Sequence, residues 1–330
     1  MILYTVLSIL LGLALLVLLG GYLLCRKVIY PRVYPAAETR RLEIEAKNLD
    51  PAEFAAWEKE ELHLQSVHGY DLYGIYLPLP GSHRTVVISH GITYSLFGSI
   101  KYIPLFRSRG CNVLIYDLRN HGANCRLYTT FGFHEVADLR LVVDWAFNRL
   151  GPGGKVGSMG ESMGAAITLL EAKSDPRLSF VLADCAFSDL LDLLAYRRAV
   201  EVPWLPAWPF IPLASWFSRR ITGMSFADVS PISGLEDLST PIFFAHGLED
   251  RYIPPDMSIA MYDNKNRGMR RLYLAPNARH AEALVKNRVE YDQMVGEFLQ
   301  QTGFLSAPSQ AKHHGHQDVP SGYSVIGSLN

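Results

Sequence analysis

The first 25 residues, MILYTVLSILLGLALLVLLGGYLLC, are apolar almost without interruption and carry no ionisable side chain other than Tyr and Cys. About 20 such residues are enough to cross a bilayer as a helix, so the pattern predicts a transmembrane anchor over 1–25. A cleaved signal peptide is the alternative. Against it, the apolar run is too long, no basic region precedes it and no small-x-small site closes it. Leu23-Leu24-Cys25 is also a poor lipoprotein box. Residues 26–56 read as a polar linker ending in a short helix, with Asp50 placed to cap it, Pro51 at its first turn and Glu53 three residues on.

Beyond the linker, hydrophobic patterning alternates between strand-like and helix-like stretches. Strand-like runs occur near 59–66, 70–78, 84–89, 111–117, 155–159, 179–185, 241–245 and 271–275. The first two flank Val67-His68-Gly69 and read as a hairpin. The later ones are continuous and β-branched, as strands covered on both faces are. Helical rhythm appears near 134–149, 162–173 and 284–301. The expected fold class is therefore α/β: an eight-stranded, mostly parallel sheet with helices on both faces. One insertion, 187–240, breaks the alternation and holds VPWLPAWPFIPLASWF at 202–217, with Trp204, Trp208 and Trp216. It reads either as a satellite core under a long loop or as a lid over an apolar pocket, lying against a membrane. The final segment, 303–330, is rich in Ser, Gly and Pro and reads as a flexible tail. Its His313, His314 and His316 read as solvated side chains.

Composition removes several function classes. Lys+Arg number 31 against 32 Asp+Glu, and no basic run interleaved with aromatics marks a nucleic-acid surface. Cys25, Cys111, Cys125 and Cys185 lack metal-binding spacing. Cys111 and Cys185 lie in or beside apolar runs and read as space-filling. Neither G-x-x-x-x-G-K nor G-x-G-x-x-G occurs, so no cofactor is expected. Arg26, Lys27, Arg32, Arg40 and Arg41 follow the apolar segment, which by the positive-inside rule places the body of the protein in the cytoplasm, with an extracytoplasmic placement as the alternative.

The candidate chemistry lies in KVGSMGESMGAAIT at 155–168, where Ser-Met-Gly occurs twice. A nucleophile on a sharp strand-to-helix turn needs small residues two positions before and after it. Ser162 has Gly160 and Gly164 there, whereas Ser158 has Val156 and sits inside the strand-like run. A serine hydroxyl needs a base and the base an orienting acid. Both follow downstream, in AHGLEDRYIP and APNARHAEAL. His280 is the candidate base and Asp250 the candidate acid, with Glu249 as its rival. An oxyanion would be bound by the backbone N–H groups of Met163, next to the nucleophile, and of Ile92, after His90-Gly91. His90 and His246 read as turn-shaping, and His63 and His68 as surface or satisfied histidines.

These residues resemble the serine-nucleophile α/β-hydrolase superfamily across 57–302. Within it, the chain is most similar to bacterial membrane-anchored hydrolases of the prolyl-oligopeptidase and BAAT/dienelactone-hydrolase-like group. The resemblance is carried by His90-Gly91, Tyr116 to Gly122, Gly160 to Gly164, Ala183 to Asp189, His246 to Pro254 and His280. It implies a Ser162–His280–Asp250 triad and oxyanion donors at Ile92 and Met163. It also implies loop-organising roles for Asp117, Arg119 and Asp138. The bulky Ile92-Thr93-Tyr94 departs from the group's pattern and narrows the expected acyl site. The expected activity is hydrolysis of a small-molecule or lipid-like carboxylic ester at the membrane. Peptidase or aminoacyl hydrolysis, acyl thioester hydrolysis and a non-catalytic membrane scaffold are the alternatives. Residues 26–56 are too few for the propeller domain that related peptidases carry.

Overall fold

The computed structural model describes residues 1–124 and 127–305. Cys125 and residues 306–330, which include His313, His314 and His316, lie outside the described residues. Helix α1 spans Ile2–Ile29, followed by α2 (Ala36–Glu45) and α3 (Pro51–Ala56). Strands β1 (Glu60–Gln65), β2 (Asp71–Leu77) and β3 (Arg84–Ser89) lead to α4 (Ile103–Arg107) and β4 (Asn112–Tyr116). Next come α5 (Glu135–Leu150), β5 (Lys155–Glu161), α6 (Met163–Ala172) and β6 (Val181–Asp184). The insertion forms α7 (Leu190–Glu201) and α8 (Ala207–Thr222). The chain returns through β7 (Ile242–Gly247), α9 (Asp256–Asn264) and β8 (Arg270–Ala275) to α10 (Ala283–Lys286) and α11 (Arg288–Gln301).

The eight strands form one sheet in the order β1-β2-β4-β3-β5-β6-β7-β8. β1 and β2 pair antiparallel to their neighbours and the remaining pairings are parallel, as the patterning predicts. Both faces are covered. Val87 of β3 packs into one apolar core with Val142 and Ile167, while its neighbours Val86 and Ile88 point into the other with Phe298 and Val295. This period-2 partition between two buried faces explains why the central strands read as unbroken apolar runs. It also places the carboxyl ends of β3, β5, β6, β7 and β8 along one edge, where open α/β sheets bind ligands.

Three stretches differ from expectation. The apolar helix runs past Cys25 to Ile29, and the segment expected to be a polar linker contains α2. That helix has no apolar stripe. Arg41 pairs with Glu38 and Glu45 at i,i+3 and i,i+4, and its buried side chains, Thr39 and Glu43, are polar. The helix expected over 284–301 is broken at Asn287, whose side-chain amide donates to Pro276 O at 3.0 Å. The chain also forms α4 and α9, short helices with no long apolar rhythm to announce them.

α1 is not detached from the domain. Ile2 to Leu19 project away from it, whereas Gly21, Cys25, Val28 and Ile29 are buried against it. Helix α8 crosses α1 at Gly20-Gly21: a Cβ on either residue would lie 2.6 Å from the Phe210 ring or from Leu213 Cβ. Tyr22 and Phe217 stack edge to face at 5.5 Å.

Candidate active site

β5 ends at Glu161 and α6 begins at Met163, so Ser162 alone makes the turn between them, with φ 56° and ψ −117°. A non-glycine residue in that region is strained and needs its surroundings to hold it. Those surroundings are two bare glycines. A Cβ on Gly160 would lie 2.2 Å from the Gly164 carbonyl, and one on Gly164 would lie 2.2 Å from Ser89 O. The absence of both side chains lets α6 start directly against the end of β3. Ser158 is buried within β5, away from the turn.

At the ends of β7 and β8 the chain brings the other candidates to this turn. His280 Nε2 lies 2.9 Å from Ser162 Oγ, and His280 Nδ1 lies 2.7 Å from Asp250 Oδ2. A carboxylate facing Nδ1 accepts a hydrogen bond from it, which keeps the ring proton on Nδ1 and leaves Nε2 as an acceptor for the serine hydroxyl. Asp250 is 4% exposed and Glu249 faces outward. Asp250 Oδ1 accepts from Tyr252 N–H (2.8 Å) and Ile253 N–H (2.9 Å). Burial alone would raise this carboxyl. Hydrogen bonds from His246, His280 and the Ile253 amide outweigh burial and hold it well below its usual range.

His246 is the residue that sequence reasoning left out of this group. Its sequence context, His246-Gly247, marks it only as turn-shaping. Its Nε2 donates to Ile253 O (2.9 Å) and stands 3.2 Å from Asp250 Oδ2, while Nδ1 is 2.7 Å from the Ser258 hydroxyl. It therefore fixes the loop that carries the acid. Its i,i+4 spacing to Asp250 was the available signal.

Gly91 packs beside the serine, a Cβ there coming within 3.5 Å of Ser162 Cβ. With Ile92, Thr93 and Tyr94 it lines a space of about 290 Å3 that also contains Ser162 and His280. Met163 is the first residue of α6, where a backbone N–H has no intrahelical acceptor. The two candidate oxyanion donors thus flank the serine. His90 is fully engaged: Nδ1 meets Gly91 O at 2.7 Å and Nε2 accepts from Leu118 N–H at 3.0 Å. Burial and then neighbouring His121 push its pKa well below the usual imidazole value, so it stays neutral. Asp117 accepts from the Leu96 and Ala123 amides, and Asp138 accepts from the Ser66 and Tyr70 hydroxyls, joining the hairpin to α5. Arg119 lies over the Tyr70 and Tyr128 rings and donates to Tyr128 O. His63 meets Asp71 at the surface, and His68 reaches His134 O.

A second buried network lies behind the site. Lys101 Nζ contacts Glu161 Oε2 at 2.6 Å and donates to Ala281 O at 3.0 Å. It thereby ties the residue before Ser162 to the residue after His280. The Tyr102 hydroxyl lies 2.6 Å from Glu161 Oε2 and 3.1 Å from Asp184 Oδ2, which accepts also from Tyr291 (2.9 Å). Burial and then the Glu161 charge push the Asp184 carboxyl up to about 6. Cys185 Sγ lies within 4.8 Å of ligand atoms of Asp250 and His280. As a metal set this trio is poorly disposed, because burial and the Asp184 charge keep the thiol protonated and Asp250 and His280 already bond to each other.

Comparisons with known proteins bear on this geometry. Residues 86–302 match the alpha/beta hydrolase family. The chain is 38% identical over 248 residues to the uncharacterized protein YqkD of Bacillus subtilis (strain 168), covering 74% of this chain and 81% of that protein. It superposes on the Pyrococcus furiosus esterase Pf2001 with a TM-score of 0.63 at 22% identity, covering 83% of this chain and 99% of that one. The Pyrococcus horikoshii acylaminoacyl peptidase superposes with a TM-score of 0.57 at 16% identity, over 81% of this chain and 44% of that one. At these identities the two structural likenesses concern the fold.

Proposed function

The chain belongs to the alpha/beta hydrolase family, and from that premise we propose that it is a membrane-anchored serine hydrolase that cleaves carboxylic esters. One observation carries the reading: the unbroken line from Ser162 Oγ through His280 to Asp250, at 2.9 and 2.7 Å. His280 takes the Ser162 proton as Oγ attacks the ester carbonyl. Asp250 holds the imidazole and stabilises its charged form. The Ile92 and Met163 N–H groups receive the oxyanion. His280 then protonates the departing alcohol, and a water activated by the same histidine releases the acid from the acyl-enzyme.

The membrane part of the proposal is supported by α1, whose 28 residues include an 18-residue window of mean hydropathy 2.8 with none of it buried. Trp204, Trp208 and Trp216 are 79%, 77% and 49% exposed on the insertion that packs against α1. Exposed tryptophans beside an apolar helix fit the headgroup level of a bilayer. Arg26 and Lys27 in the last turn of α1, and Arg32 just after it, favour a cytoplasmic catalytic domain.

The test is hydrolysis by the full chain in nanodiscs. p-Nitrophenyl esters, aminoacyl anilides and acyl-coenzyme A thioesters are compared beside Ser162→Ala. Esters are expected to be cleaved fastest, with the variant inactive. Faster cleavage of anilide or thioester would overturn the ester assignment while leaving the serine mechanism standing.

A further inference from the structure

The site has an apolar compartment whose wall is part of the membrane helix. Leu24 and Val28 of α1 face Leu193 and Leu194 of α7 across a cavity of about 150 Å3. Its lining is mainly apolar and also includes Lys27, Arg197, Arg198 and Glu201. Ile92 and Tyr252 stand at its inner end, and both also border the space that holds Ser162 and His280. Beyond Tyr252 a third space, of about 730 Å3, is bordered by the exposed Glu249, Arg251 and Arg279. Three compartments therefore meet at one tyrosine: apolar toward the membrane helix, nucleophilic in the middle, polar toward water.

The helix is tied into this arrangement on several sides. Cys25 and Ile29 are fully buried, and Ile29 O accepts from Thr129 N–H at 2.9 Å. Tyr34 N–H donates to Thr93 O at 2.7 Å, one residue from the candidate oxyanion donor. Lys27 pairs with Glu201 (2.9 Å), which also pairs with Arg197, and the Arg197 guanidinium lies 4.0 Å from the centre of the Tyr252 ring. A helix of 28 residues is about 42 Å long against a hydrocarbon core of about 30 Å. If the core begins at Ile2, Leu24 stands about 3 Å and Val28 about 9 Å beyond its far boundary, across the headgroup level.

We propose that α1 forms part of the substrate site and that the substrate is a single-chain amphiphilic ester drawn from the adjoining leaflet. Its acyl chain lies between α1 and α7, its carbonyl passes Ile92 to reach Ser162, and its polar alcohol departs past Tyr252 into the open cleft. The inference rests on the serine-esterase reading. In each turnover the ester C–O bond breaks as the acyl–Oγ bond forms, and His280 passes the Ser162 proton to the alcohol; water then gives its OH to the acyl carbon and, through His280, its other proton to Ser162 Oγ as the acyl–Oγ bond breaks.

The test uses the full chain in nanodiscs with p-nitrophenyl acetate, butyrate and octanoate, comparing the native protein with Val28→Trp, which fills the cavity. Leu16→Trp, on the outward part of the same helix, serves as a control. For the native protein, kcat/KM is expected to rise about four-fold per added methylene until the cavity is full. In Val28→Trp the octanoate-to-acetate ratio falls by about 100-fold or more, and in Leu16→Trp the ratio is native. A native ratio in Val28→Trp would overturn the proposal and leave α1 as an anchor alone. Should Val28→Trp fail to fold, Leu194→Ala, which enlarges the same cavity, must move the optimum to longer chains; an unmoved optimum overturns the proposal equally. Failure of the underlying reading looks different, because acetate hydrolysis by the native protein would then equal that of Ser162→Ala.

Discussion

Replacing Asp250 by Asn keeps the shape of the side chain and changes what it can accept. Oδ1 receives two backbone N–H groups, from Tyr252 and Ile253, so the amide oxygen of an asparagine must occupy that position. Its NH2 group then faces His280 Nδ1 and stands beside His246 Nε2, which already directs its proton toward Ile253 O. His280 can bond to this NH2 only through an unprotonated Nδ1. The ring proton moves to Nε2, and Nε2–H faces Ser162 Oγ, where a lone pair is needed. The wrong tautomer is expected to lower kcat by about 10^4, or about 5.5 kcal/mol of transition-state stabilisation. Stability falls too. A carboxyl held below its unfolded value of 3.8 contributes stability that is present above about pH 4 and lost as pH falls through the folded value. The difference in Tm between native protein and Asp250→Asn should accordingly be largest near neutral pH and shrink below about pH 4. The assay is ester hydrolysis with active-site titration, beside Glu249→Gln, which is expected to remain near native. An Asp250→Asn protein with more than a tenth of native kcat, or a Glu249→Gln protein as impaired, would refute the reasoning.

Other consequences follow from the same packing. Gly164→Ala drives a Cβ into Ser89 O, and neither backbone can yield; a cost of about 3 kcal/mol should lower Tm by roughly 6–12 °C, whereas an unchanged Tm would contradict the close approach. Lys101→Met leaves the buried Glu161 with the Tyr102 hydroxyl but without a cation and should destabilise by about 3–5 kcal/mol in chemical denaturation. Adding Glu161→Gln should recover part of that loss, and strict additivity would deny the coupling. Asp184, raised from 3.8 to about 6 by burial and by Glu161, favours the protonated folded form. Its contribution therefore weakens stability as pH rises from about 4 to 6, at a cost of about 3 kcal/mol at neutrality. Asp184→Asn should raise Tm at pH 7 and show little difference at pH 4; equal effects at both pH values would contradict the assignment.

Much of this architecture was legible in local pattern. The central strands announced themselves as β-branched runs because they are buried on both faces. Ser162 was distinguishable from Ser158 because the sharp turn requires the bare Gly160 and Gly164, a requirement written within five residues. Asp250 and His280 could be picked out because each follows a strand that ends at the same sheet edge. What stayed hidden depends on contacts between distant segments. Lys101 looks like any surface lysine until the fold places it between Glu161 and Ala281. Tyr252 carries no signal of its position among three compartments. Helix α2 escaped because polar pairs, rather than an apolar stripe, hold it. The packing of the end of α1 stayed hidden because an unbroken apolar run over 1–25 does not distinguish exposed positions from those, such as Gly21 and Cys25, that face the domain.

The central claim is that Ser162 is an activated nucleophile. Purified full-length protein is treated with a fluorophosphonate and analysed by intact mass and peptide mapping, beside Ser162→Ala. The account predicts one adduct per chain, mapped to Ser162, absent from the variant and greatly slowed in Asp250→Asn. A folded native protein that takes up no label, or an adduct that persists in Ser162→Ala, would contradict it.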